Sequence, residues 1–171
     1  GAKKEYKMEE ADQQGYYGVL IPGRKIPEYV FMVEKKGKRR EVPDAYAMDS
    51  LIDGMDMEKF INGCHDTIYD KLGAHPMTRD GAEGTYFAVW APNARAVSVV
   101  GDFNQWREDA HPMIKREPAG IYELFVPGVG KGDLYKFSIY QSTGNRVLKA
   151  DPFANYAELR PATASVVWDL T

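Results

Sequence analysis

Cysteine occurs once in the 171-residue chain, at Cys64, so no intrachain disulfide can brace it. That usage points to a reducing compartment, the cytoplasm, over secretion. No apolar run approaches the roughly 18 residues that a membrane span needs, so no membrane partner is expected. The opening Gly1-Ala2-Lys3-Lys4 begins no export signal, and the absent initiator Met fits a chain cut from a longer one. Histidine is scarce too: His65, His75 and His111 are scattered, and with one Cys they form no zinc spacing. No glycine-rich phosphate loop or dinucleotide fingerprint is present. Neither a metal nor a cofactor is expected. A net charge of -3 and a pI near 5.7 leave no basic excess to collect phosphates, which excludes nucleic acid as a partner.

The one basic run, Lys35-Lys36-Gly37-Lys38-Arg39-Arg40, centres on a glycine and reads as a hairpin turn with solvated lysines. Paired carboxylates could run glycoside chemistry if they flanked one bond at about 5 to 10 Å. The acids here fall mainly in turns, among them Asp80, Glu83, Asp102 and Asp109, with no element to converge two of them. No catalytic residue is assigned, and the chain by itself reads as a binding or structural module.

What is present is ordinary globular composition, 44% hydrophobic and 27% charged, arranged in three patterns. In residues 1–42, Tyr17-Val19-Ile21 and Tyr29-Phe31-Val33 alternate as half-buried strands do, with Pro22-Gly23 and Pro27 as punctuation. About three strands are too few for a sandwich, so this is a partial β-domain. Residues 43–73 switch to short helical pieces. Asp56 is placed to cap a turn with Met57, Phe60 and Ile61 that Gly63 ends, and Asp66 to cap one with Ile68, Tyr69 and Leu72 that Gly73 ends. They form a helical connector; Met48, Met55 and Met57 in it read as packing.

Residues 74–171 are strand-rich. The spacing predicts strands over 84–91, 95–100, 121–126, 134–141, 146–149 and 163–168, separated by turn formers such as Pro92-Asn93, Pro127-Gly128 and Thr143-Gly144-Asn145. This implies a mainly β protein whose principal unit is an immunoglobulin-like antiparallel sandwich. In residues 134–141, Tyr135, Phe137 and Ile139 share the core face. Leu134, Lys136, Ser138 and Tyr140 face outward. Lys136 is then either a solubility residue or a donor to a hydroxylated ligand.

The run Gly101-Asp102-Phe103-Asn104-Gln105-Trp106 follows the β-branched Val97-Ser98-Val99-Val100 and sets an indole beside small polar residues at a strand end. Such a Trp either plugs into a nearby core or lies flat against an outside ligand. A pyranose suits the second role, since its apolar C–H face stacks on an aromatic plane. Trp106, Lys136 and the polar Asn104 are the candidate carbohydrate-binding residues.

Several stretches resemble the amino-terminal part of bacterial 1,4-alpha-glucan (glycogen) branching enzymes. They are Tyr69-Asp70-Lys71-Leu72-Gly73-Ala74-His75-Pro76, Phe87-Ala88-Val89-Trp90-Ala91-Pro92-Asn93-Ala94, the Val97–Asn104 run, Leu148-Lys149-Ala150-Asp151-Pro152 and Arg160-Pro161-Ala162-Thr163-Ala164-Ser165-Val166-Val167. The resemblance runs through residues 66–171; residues 5–65 are similar, more loosely, to the end of an additional amino-terminal β-domain. It implies that residues 74–168 are a carbohydrate-binding module of family 48. It also implies a catalytic barrel of glycoside hydrolase family 13 beyond Thr171, which would hold the nucleophile and general acid. The implied partners are α-glucan (glycogen, amylose) and that barrel. Trp106 matches the first aromatic platform of starch-binding relatives and Lys136 their lysine. The second platform falls at Leu148, and their polar loop falls at the apolar Ser165-Val166-Val167. Three readings stay open: a module that touches glucan, a purely structural one packed on the barrel through Asp151-Pro152 and residues 160–167, and the module of a debranching or trehalose-forming relative.

Overall fold

The β-branched and aromatic runs do become strands, and Gly or Asp stands at most of the turns between them. The computed structural model describes residues 4–10, 17–23, 29–35, 37–42, 44, 46–47 and 49–170. Pro27, Lys36 and Met48 lie outside the described residues. At the amino-terminal end, β1 (Glu9–Glu10) pairs with β2 (Tyr17–Gly18), and β3 (Phe31–Lys35) pairs with β4 (Lys38–Val42). The basic run is therefore a hairpin, closed by Gly37 at φ +73°. Of the six alternating residues only Phe31 is half-buried. Tyr17, Val19, Ile21, Tyr29 and Val33 are all exposed, because no second layer covers these two-stranded ribbons among the described residues.

In the connector, α1 (Gly54–Ile61) starts one turn earlier than the sequence implied. Asp53 is the N-cap and accepts from the Asp56 N–H, while Asp56 reaches back to the Asp53 N–H in a capping box. Asp56 thus sits at the third helical position, where its carboxylate also takes His65 and Lys71, each at 3.0 Å. Gly63, at φ +69°, follows the helix end as expected. Asp66 caps nothing. A single 3-10 turn, Ile68–Asp70, follows Thr67, and Gly73 opens a strand instead of closing a helix. Met57 is part of the packing, whereas Met55 is exposed. Among the described residues no helix is long and apolar enough to cross a membrane.

The rest is a sandwich of two antiparallel sheets, immunoglobulin-like in build. One sheet has the order β5 (Gly73–Arg79), β6 (Ala82–Trp90), then β9 (Ile121–Pro127) and β8 (Ile114–Arg116). The other centres on β10 (Leu134–Gln141), with β7 (Ala94–Gly101) on one side. Its other side takes β11 (Arg146–Lys149) along Phe137–Tyr140 and β13 (Ser165–Val166) at Leu134-Tyr135, the latter edged by β12 (Tyr156–Ala157).

Between the sheets lie Phe87, Val97, Val99, Leu124, Tyr135 and Phe137, all essentially inaccessible to solvent. Each large apolar side chain so buried contributes about 1.5–3 kcal/mol relative to exposure. The first sheet is covered on its outer face as well. Tyr86, Ala88, Ile121 and Phe125 pack there under Ile52, Leu72, Met57 and Phe60 of the connector. That double cover explains why residues 84–89 read as one continuous buried run instead of an alternating one.

Candidate functional site

The core faces of β10 are those the alternation implied, with Tyr135 and Phe137 inward. Lys136 therefore points outward, opposite Val100 of β7 and one residue from the Tyr135–Gly101 pair that ends the β7 ladder. Its ammonium group donates to Thr163 Oγ1 at 2.7 Å. Among the described residues, two of its three N–H bonds remain for another acceptor.

At Gly101 the chain leaves β7. A Cβ there would stand 2.1 Å from the Leu134 carbonyl oxygen, so only glycine lets the strand end pack this closely. A one-turn 3-10 segment, Asp102–Asn104, follows, and then two successive residues in left-handed backbone, Gln105 at φ +58° and Trp106 at φ +59°. Left-handed non-glycine residues are costly and persist where surrounding bonds hold them. Here the Trp106 N–H donates to the Gly101 carbonyl at 2.9 Å, and the indole Nε1–H donates to Asp102 Oδ1 at 2.8 Å. The ring is half-buried and lies outside both core clusters. It did not plug into the core.

Asn104 does not face a ligand. It is buried; its Oδ1 accepts the Gly101 N–H at 2.9 Å, and its amide hydrogens go to the Val99 carbonyl at 3.0 Å and to His111 Nδ1 at 2.9 Å. With both amide hydrogens engaged, Asn104 frames the turn that carries Trp106. Burial holds His111 below its ordinary pKa, which suits a ring nitrogen that accepts.

After Trp106 the loop runs across the outward face of the second sheet. Glu108 meets Arg146 of β11 at 3.2 Å, and the Arg146 guanidinium lies 5.4 Å from the Tyr140 ring centre. Leu148, opposite Ser138, opens on the same face and is 47% exposed. The Trp106 loop, Lys136 and Leu148 thus share one side of one sheet. The sequence reading did not single out Thr163, Glu108 or Arg146 here. Nothing local marks them, since each reaches its partner across 27 or 38 residues of chain.

Of the segments Asp151-Pro152 and 160–167, Asp151 and 164–167 are internal, while Pro152 and 160–163 are exposed. Ser165, Val166 and Val167 are buried, so they offer no polar loop to a ligand. Asp151 is buried as well: it accepts from the Tyr135 hydroxyl at 2.6 Å and the Phe153 N–H at 2.8 Å, and burial pushes its carboxyl pKa up. It is a staple of the fold and not part of an outward interface. Glu123, the other buried acid, accepts from the Tyr86 hydroxyl and from Arg116 Nε. Both carboxylates are closed off by their own partners.

The family model for Carbohydrate-binding module 48 (Isoamylase N-terminal domain) matches residues 71–154. The chain is 44% identical over 156 residues to the 1,4-alpha-glucan branching enzyme GlgB 1 of Streptomyces coelicolor, covering 91% of this chain and 20% of that protein. It is 44% identical over 169 residues to the 1,4-alpha-glucan branching enzyme GlgB of Thermosynechococcus vestitus, covering 98% and 22%. The chain thus spans about a fifth of the length of these relatives. Among solved structures it is similar to a Klebsiella pneumoniae pullulanase complexed with maltotriose, with a TM-score of 0.47 and 24% identity over 58% of this chain and 10% of that one.

Proposed function

Because residues 71–154 belong to the carbohydrate-binding module 48 family, we propose that the chain is the amino-terminal, non-catalytic region of a cytoplasmic 1,4-alpha-glucan branching enzyme, and that it touches α-glucan through Trp106 and Lys136. The observation that carries the glucan contact is the shared face: a half-exposed indole fixed at both its backbone and its Nε1, with a lysine donor on the same sheet. A sugar ring stacks on the indole, and Lys136 and Thr163 meet its hydroxyls. Asn104 positions the turn.

With Leu148 in place of a second aromatic, the contact is weak. One aromatic stack contributes about 0.5–1.5 kcal/mol beyond area burial, which by itself supports binding in the millimolar range or weaker. Glycogen and amylose offer many repeats, so a weak handle still holds polymer near an active site. The chemistry belongs to a catalytic barrel. That barrel would retain anomeric configuration, cleaving an α-1,4 bond through a covalent glycosyl-enzyme. The exposed Leu159 and Leu170 are apolar surface suited to packing against it.

Affinity electrophoresis in gels containing glycogen tests this reading. The chain is expected to be retarded, and Trp106→Ala to be retarded clearly less. Equal mobility of the two proteins in glycogen overturns the Trp106 contact. Transfer or hydrolysis of amylose by the purified chain overturns the non-catalytic assignment.

A further inference from the structure

A second aromatic surface lies at the other end of the sandwich. Trp90, the last residue of β6, is 54% exposed, although it follows six buried residues. Its indole Nε1–H donates to the Ala119 carbonyl at 3.0 Å, and Phe60 of α1 meets the ring edge-on at 5.8 Å between centres. The ring is held from two sides and still open to solvent. Beside it is a cleft of about 300 Å³ between the β6–β7 turn and the β10–β11 hairpin, at the small end of the range for ligand clefts. Besides Trp90, the residues that line it include Asn93, Gln141, Ser142 and Thr143, and none of them is charged. The hairpin is fixed by Gln141 N–H to the Asn145 carbonyl at 2.8 Å and Gly144 N–H to the Gln141 carbonyl at 3.0 Å. Its polar side chains therefore stand on a set backbone.

We propose that this cleft is a separate sugar subsite. A hexopyranose ring stacks on Trp90, and its hydroxyls bond the amides of Asn93 and Gln141. The chemistry selects the ligand class. A rigid aromatic plane rimmed by neutral amides and hydroxyls suits a polyhydroxylated, uncharged molecule with an apolar face, and offers no positive charge to balance a phosphate or carboxylate. That the sugar is an α-glucan rests on the function proposed above; that the site takes a neutral sugar rests on the cleft. The site is independent of Trp106. The two lie beyond opposite ends of β7, whose seven steps from Ala94 to Gly101 span roughly 23 Å at about 3.3 Å per residue.

The test is a titration of the ¹⁵N-labelled chain with maltoheptaose, with cellohexaose in parallel. Indole resonances are assigned through Trp90→Phe and Trp106→Phe. The Trp90 indole and the Asn93 and Gln141 side-chain amides are expected to shift with maltoheptaose and to keep shifting in Trp106→Ala. Gln141→Ala, on an exposed hairpin, should weaken the Trp90 shift curve by roughly three- to tenfold with unchanged thermal stability. A Trp106 shift with a silent Trp90 overturns this site and leaves the proposed function standing. A Trp90 shift alone does the reverse for the Trp106 contact. Equal response to cellohexaose overturns the α-glucan assignment of the cleft.

Discussion

Asn104 donates an amide hydrogen to His111 Nδ1 at 2.9 Å, tying the turn that presents Trp106 to the chain that returns beside β7. The bond needs an unprotonated ring nitrogen. Burial lowers the His111 pKa in the folded chain below its ordinary 6.5, so the unfolded chain takes the proton first as pH falls. Stability linked to His111 is therefore complete above about pH 6.5, declines as pH drops through 6.5 towards the folded value, and levels off below that. Thermal midpoints of the chain and of His111→Gln from pH 8 to 5 check this. The midpoint of the chain should fall more steeply below 6.5; parallel curves would sink the linkage.

Gln105 and Trp106 both sit in left-handed backbone, and only the Trp106 ring is asked to do anything outside the turn. An L-residue there costs about 1–2 kcal/mol, part of which a glycine returns as lost chain entropy on folding. Gln105→Gly should stabilise the chain by up to about 1 kcal/mol in urea melts. Its retardation in glycogen gels should be unaltered. A loss of stability would show that the turn is not strained at Gln105.

Leu148 stands exposed on the Lys136 side of the second sheet, where a second aromatic plane would complete a pair with Trp106. Leu148→Trp is expected to tighten glycogen binding by about three- to tenfold, the equivalent of one further stacking contact. Gel retardation at graded glycogen concentrations reads it. No change in the half-retarding concentration counts against a shared binding face.

Asp151 joins β10 to the segment before β12 by accepting from the Tyr135 hydroxyl and the Phe153 N–H. Asp151→Ala takes the acceptor from a buried hydroxyl and a half-buried N–H and should destabilise the fold by roughly 2–4 kcal/mol. Asp151→Asn keeps an acceptor and should lose less than half of that. Denaturant unfolding of the two variants side by side decides it, and equal losses would point to charge instead of hydrogen bonding.

Much of the sandwich is legible in residues close together in the chain. The alternation in 134–141 assigns the two faces of β10, and the turn formers bracket β6, β7, β9 and β11 to within about two residues. The missed strands have a common cause. β5 contains Gly73, Pro76 and a mixed pattern, and it is a strand because β6 pairs with it along seven residues; its edge position tolerates the proline. β8 and β12 are short and exist only as partners of β9 and β13. Phe31 apart, the expected half-burial in residues 1–42 failed for the opposite reason, since a pattern fit for a covered face has almost no cover among the described residues.

At the site the division is sharper. Local sequence by itself determined that a Trp ends a polar turn after a β-branched strand and that Lys136 points away from the core. Period and turn chemistry are short-range properties. Only the tertiary structure decided that Asn104 faces inward, that Lys136 meets Thr163, and that Trp90 stays open beside a cleft. Those outcomes depend on hydrogen-bond partners and covering surface brought from distant parts of the chain. A polar side chain turns inward only where folding supplies the partners that replace its water.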